Sequence, residues 1–339
     1  MKKLLQPVLN LALILVYIVV IAGSVVRMTG SGMGCPDWPK CFGYLVPPTE
    51  ESELEWKAEH HYEKGQVIIR NKELRVVKDN FTSGENFNAN HWEAYTKHDY
   101  AKFNPVHTWI EYINRLATVL FGFPILLLVA CSIAYFKENK TILLLALAAL
   151  FSVGFEAWLG KLVVDANLLP VKVTLHVLFV FFIIAFLIGL KYVSLPKTTL
   201  QYTGSKLNWI GVLVLVLTLI QVIMGTQVRQ HVDIQMIENG YTNQSTWLND
   251  APLIFFIHRS FSILLLVANG YWIFLTLQLA PFFSFIKWPA IFLGFEMLSG
   301  IILYYLDFPF LSQPTHLLLS SLIFGAQLYS VLSLWKKKT

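Results

Sequence analysis

Eight apolar runs of roughly 20 residues divide this chain, at about 8–27, 108–136, 141–164, 171–193, 208–228, 253–279, 282–304 and 313–335. No other feature limits the fold as strongly. A helix of that length crosses the hydrocarbon layer of a bilayer, and in lipid a helix satisfies its own backbone polar groups. A water-soluble fold would need several consecutive long helices buried on every side. With 55% hydrophobic and 14% charged residues and a mean hydropathy of +0.56, the sequence predicts an all-α integral membrane protein. Residues 1–27 resemble a signal peptide, but the apolar stretch is too long and ends in Arg27, not at a small-residue cleavage site. They read as the first span.

Lysines set the expected orientation. Lys2 and Lys3 precede the first run, Lys137 and Lys140 separate the second from the third, and Lys191, Lys197 and Lys206 surround the exit of the fourth. Lys336, Lys337 and Lys338 close the chain. With eight spans all of these fall on one side, which the positive-inside rule places in the cytoplasm together with both termini. Residues 28–106 then lie outside a bacterial inner membrane, and the net charge of +5 reflects the lysine bias, with no nucleic-acid partner implied.

Glu111, Asn114 and Arg115 stand near the start of the second run at spacings that share one helix face. His107 is one turn outward on that face. Charged groups at the edge of a span are costly unless paired or used, so this cluster is a candidate site. A similar pair, His258-Arg259, occupies the sixth run, with a histidine where the first has Asn114.

The comparison extends along the whole chain. Gly-Ser-Val-Val-Arg ending at Arg27 answers Gly-Thr-Gln-Val-Arg ending at Arg229, and Gly-Phe-Glu-x-x-x-Gly occurs at both 154–160 and 294–300. Glu156 precedes His176 by 20 residues, as Glu296 precedes His316. Four matches in one order make an internal repeat. Four spans followed by four preserve orientation, so the expectation is two parallel-repeat four-helix bundles, residues 1–193 and 194–339.

Cys35 and Cys41 close a seven-residue segment, within a stretch marked by glycines and prolines, on the expected outer side. A disulfide is the favoured reading in such a compartment, against two free thiols or half of a metal site. The insert at 42–106 is large. Its 50–64 stretch has helix-forming composition, and 66–77 reads either as strand–turn–strand or as further helix. His60, His61, His91 and His98 match no metal spacing there and read as solvated surface groups.

His176, His258 and His316 each lie close to the outer end of a span. A single such histidine is as often a helix–helix hydrogen-bonding group as a ligand; matching positions in a repeat favour ligands. Two imidazoles from neighbouring helices suit a haem iron in a bundle core. Arg27, Arg115, Arg229 and Arg259, at the outer ends of spans, are natural partners for haem propionates or groups snorkelling to the headgroups.

The cluster Gly-x-x-x-Arg-x-Thr-x-Ser-Gly, followed by Cys-Pro-Asp-Trp-Pro-x-Cys, Glu-Tyr-x-x-Arg and one histidine in each of spans four, six and eight, resembles the haem A synthase family. The resemblance covers nearly everything outside 44–105. It implies oxidation of the C8 methyl of haem O to a formyl group, with haem O as substrate, a haem O synthase as upstream partner, and membrane lipid around the spans. It implies haem b held by His258 and His316 in the C-terminal half, where Arg229 and Arg259 lie, and the substrate haem in the N-terminal half near His176, Asn114, Arg115 and Arg27. Glu111 would be the catalytic carboxylate and Cys35–Cys41 a bridge. The chain departs from the family at one ligand, because Asn114 stands where a histidine is usual. That either leaves the substrate iron five-coordinate on His176 and open to oxygen or water, or impairs the half-site. Two other readings use the same features. A dihaem cytochrome b would only transfer electrons, and a parallel-repeat transporter would use Glu156 and Glu296 as coupling groups.

Overall fold

The computed structural model describes residues 1–95, 103–165, 170–195, 205–280 and 283–335. His98, Lys197 and Lys336–Lys338 lie outside these residues. Among the described residues the fold is mostly helical, with eight helices long and apolar enough to cross a membrane: α1 (Leu5–Met28), α2 (Pro105–Ile133), α3 (Lys140–Asp165), α4 (Pro170–Ser194), α5 (Ser205–Glu238), α6 (Leu253–Leu279), α7 (Lys287–Tyr305) and α8 (Ser312–Leu334).

Local chemistry explains several boundaries. Asn104 caps α2, its Oδ1 accepting from the amides of Val106 and His107, and Pro105 follows at the first helical position. Gly30, at φ +70°, ends the turn after α1 in a left-handed conformation. The largest departure from the expected spans is α5. It runs ten residues beyond the expected end at 228, to Glu238, and its 34 residues measure about 51 Å, well over the hydrocarbon thickness. Polar residues do not stop a helix that has a neighbour to pack on, and this tail carries Arg229, His231 and Asp233.

Around the N-terminal half, α1 packs on α2, α2 on α3, α3 on α4 and α4 back on α1. The C-terminal half repeats that circuit from α5 through α8. Between the halves, α8 packs on both α1 and α4. Gly325 of α8 permits this approach, since a Cβ there would stand 2.5 Å from the Tyr17 hydroxyl and 3.1 Å from Ile188. A core of Leu5, Leu9, Ile125, Leu128, Ile184 and Leu187, all fully buried, fills the inner part of the first half.

The insert folds as small sheets. Strands β1 (His61–Tyr62) and β4 (Phe81–Thr82) pair antiparallel, while β2 (Val67–Arg70), β3 (Glu73–Val77) and β5 (Trp92–Ala94) form an antiparallel sheet in the order β2-β3-β5. The open choice at 66–77 resolves to a hairpin. Asn71 and Lys72 both have positive φ, 53° and 64°, the two-residue turn whose twist suits such strands. The helix expected at 50–64 is reduced to one 3-10 turn, Glu51–Leu54. Burial overrides propensity here: Leu54 sits with Phe42 and Val67 in one small core, and Trp56 and Tyr62 join Ile68, Val77 and Trp92 in another. A continuous helix could not deliver these side chains to both. His60 and His91 stack against Tyr62 and Phe81, and His61 is exposed.

Candidate functional site

Where α1 ends, the Cys35–Cys41 segment folds over the start of α2. The two cysteines are joined by a disulfide, with Cα atoms 4.8 Å apart, inside the usual range. Closing a seven-residue loop in this way limits the unfolded chain by about 2 kcal/mol. Glu111 and Arg115 hold the loop from below. One Glu111 oxygen accepts from the Cys35 amide at 2.8 Å and the other pairs with Arg115 at 2.5 Å. Arg115 also donates to the carbonyls of Asp37 and Lys40, both at 2.9 Å. Thr108 donates to the Gly34 carbonyl, and a Cβ on Gly34 would collide with the His107 backbone at 2.4 Å. His107 thus lies under the loop. Asp37 accepts from the amides of Phe42 and Gly43. Burial raises its carboxyl above the ordinary range, and those amides and Arg115 pull the other way.

The ligand-type residues sit deeper, each against a glycine of a neighbouring helix. A Cβ on Gly225 of α5 would stand 3.1 Å from the His258 ring, and one on Gly300 of α7 would stand 3.5 Å from that of His316. In the first half, Gly160 of α3 faces His176 at 3.5 Å and Gly23 of α1 faces Asn114 at 3.7 Å. These are the glycines of the sequence repeat, and each lets the neighbouring side chain pack close against a helix backbone.

His258 and His316 come together, with ring centres 6.5 Å apart and planes at 73°. The two imidazoles, one from α6 and one from α8, are thus close neighbours inside the second bundle. His316 Nδ1 is 2.8 Å from the Ser299 hydroxyl, and its Nε2 is 3.4 Å from Glu296. Gln221 donates to the His258 carbonyl at 2.9 Å, while His258 Nδ1 is buried without a partner. A buried ring nitrogen left unpaired is what a bound group would satisfy. His176 stands with Nδ1 3.1 Å from Glu156.

The arginines divide. Arg27 and Arg229 share Asp233, Arg27 at 2.5 and 2.8 Å and Arg229 at 2.8 Å, and Arg229 also donates to the Arg27 carbonyl at 3.1 Å. Arg259 is exposed beside Phe255 and Phe256. Asp233 joins these arginines without having stood out in the sequence. Its spacing of four residues from Arg229 was the available signal.

Fold and site together define a class: a multi-pass helical membrane protein that brings a histidine pair together near one end of its second-half helices and closes a disulfide loop over the start of α2 in its first half. The chain belongs to the COX15-CtaA family of cytochrome oxidase assembly proteins, whose match takes in residues 7–82 and 85–328. It is similar to a protein of Shewanella oneidensis named "Heme A synthase", 24% identical over 201 residues, which cover 59% of this chain and 48% of that protein. A protein of Wolbachia pipientis with the same name is 23% identical over 363 residues, covering 98% of this chain and 93% of its own length.

Proposed function

We propose that this protein is a haem A synthase, an oxidoreductase converting the C8 methyl of haem O to a formyl group. One observation carries the reading: α6 and α8 bring the rings of His258 and His316 within 6.5 Å of each other, centre to centre, each beside a glycine. Family membership and the near full-length likeness to the Wolbachia protein support it.

Residues 1–193 and 194–339 act as parallel-repeat four-helix bundles, the first for substrate and the second for cofactor. Haem b is the resident group of the second, on His258 and His316, with Arg259 free to meet a propionate and Arg229 able to share one with Asp233. The residues fit such a group, since it would give the orphaned His258 nitrogen a partner and takes neutral imidazoles as ligands. When bound, this haem supplies one-electron redox chemistry. The first bundle takes haem O, with His176 as protein ligand and Asn114 opposite, and with Arg27 and Arg115 at its outer rim. Asn114 leaves the substrate iron without a second imidazole, which suits oxidation better than simple electron transfer. Glu111 is the proposed catalytic carboxylate. Its oxygens also anchor the disulfide loop, so it fixes the roof of the substrate site. Both termini are cytoplasmic, with Lys2, Lys3, Lys137, Lys140 and Lys191 on that side and the insert outside.

Co-expression with a haem O-producing enzyme, followed by pigment extraction and chromatography, tests this. The intact protein yields haem A. His258→Ala and His316→Ala lose the resident haem. Glu111→Gln keeps an acceptor for the Cys35 amide, so it retains haem binding and the disulfide but makes no haem A. A colourless protein, or haem O recovered unchanged, overturns the proposal; haem A from Glu111→Gln removes Glu111 from the chemistry.

A further inference from the structure

Glu156 is buried within the span of α3, only 8% exposed, and neither of its carboxylate oxygens has an aligned hydrogen-bond partner. Oε1 lies 3.1 Å from Nδ1 of His176 on α4, a distance that an N–H···O bond spans although the ring is off its best line. Gly160 of α3 lies against the Cε1–Nε2 edge of the same ring, where a Cβ would stand 3.5 Å from Cε1 and 4.0 Å from Nε2. The imidazole thus has a carboxylate beside one nitrogen and a glycine backbone beside the other.

The rear half uses the same residue types differently. Ser299 already occupies His316 Nδ1 at 2.8 Å, and Glu296 lies on the opposite side, 3.4 Å from Nε2. The repeat places Leu159 where Ser299 would be, so no hydroxyl competes for the front imidazole. The front half also has Asn114 in place of a second imidazole.

We infer that Glu156 is a positioning residue for the substrate site. Its carboxylate takes the Nδ1–H of His176, fixes the tautomer that presents Nε2, and strengthens that nitrogen as a donor where Asn114 contributes no second imidazole. A carboxylate behind a metal-bound histidine orients the ring and raises its basicity. Glu296 does not play this part, because Ser299 holds the corresponding nitrogen. The inference rests on the reading that His176 binds the substrate haem.

The test uses the full-length protein in detergent with added haem b as the probe for the front site. His176→Ala identifies the front-site signal by removing it. In Glu156→Gln the haem remains bound, the iron–histidine stretching frequency in resonance Raman spectra falls, and the front-site potential moves to more positive values. Glu156→Asp, which keeps the charge, recovers part of both shifts, and Glu296→Gln leaves the front signal unmoved. A Glu156→Gln spectrum and potential superimposable on wild type overturn the inference while leaving the synthase reading in place. A front signal that survives His176→Ala instead overturns the substrate-site reading on which it rests.

Discussion

Single side chains show how closely the loop and the site are joined. Asp37 accepts two backbone amides within a loop of seven residues, yet burial raises its carboxyl above its ordinary value of 3.8. Ionisation therefore costs stability in the fold. The contribution of the neutral group is complete below the unfolded value and is lost as pH rises through the raised folded value. The melting temperature of the wild type relative to Asp37→Asn should accordingly fall as pH is raised from about 4 toward neutrality; a difference that stays flat or grows contradicts it. At this scale the sequence was informative in part. Glu111 and Arg115 stood out because charge at the edge of a span demands a reason, and the structure supplies one in Cys35, Asp37 and Lys40. What these residues grip was not legible, because a hydrogen bond to a backbone atom leaves no mark on residue type. Asp233 escaped for a related reason: four residues past the apolar run, it looks like any polar loop residue until the helix is known to continue.

Among elements, the tail of α5 adds a polar tie between the halves to the apolar packing of α8. Arg27 ends α1, Arg229 and Asp233 lie on α5, and their side chains are only 17–28% exposed. Asp233→Asn leaves two neighbouring guanidinium groups facing each other without their carboxylate. The expected loss is about 2 kcal/mol, between the values for exposed and buried pairs, seen as a lower unfolding temperature in detergent that Asp233→Glu partly restores. An unchanged unfolding temperature would show that the arginines find other partners at no cost. Helix existence was plain from eight apolar runs, since lipid leaves few alternatives. Helix ends were less plain, because tertiary contacts extend α5 beyond its apolar part. The insert was the least legible segment: its acidic 50–64 stretch has helix-forming composition, while its buried Leu54, Trp56 and Tyr62 serve sheet-lined cores.

In the whole molecule the two sets of four helices, α1–α4 and α5–α8, pack in the same circuit and differ in burial. Of the most apolar stretch of α8, 56% is buried, against 22–39% in the other spans, because α8 meets α1 and α4 as well as its own neighbours α5 and α7. Gly325 makes that possible, so Gly325→Ala pushes into the Tyr17 hydroxyl and Ile188. Overpacking of this kind costs about 1–3 kcal/mol; a parallel Ala185→Gly change in α4 should not relieve it. The measurement is thermal unfolding of each variant, and an undiminished Gly325→Ala protein would mean that α1 simply shifts aside. The position matching Gly325 in the first copy is Ala185, already bearing a methyl group. The copies have therefore ceased to be interchangeable parts. A molecule assembled from two front segments would lack its central pillar, and so the half proposed to carry out the oxidation depends for its shape on a helix belonging to the other.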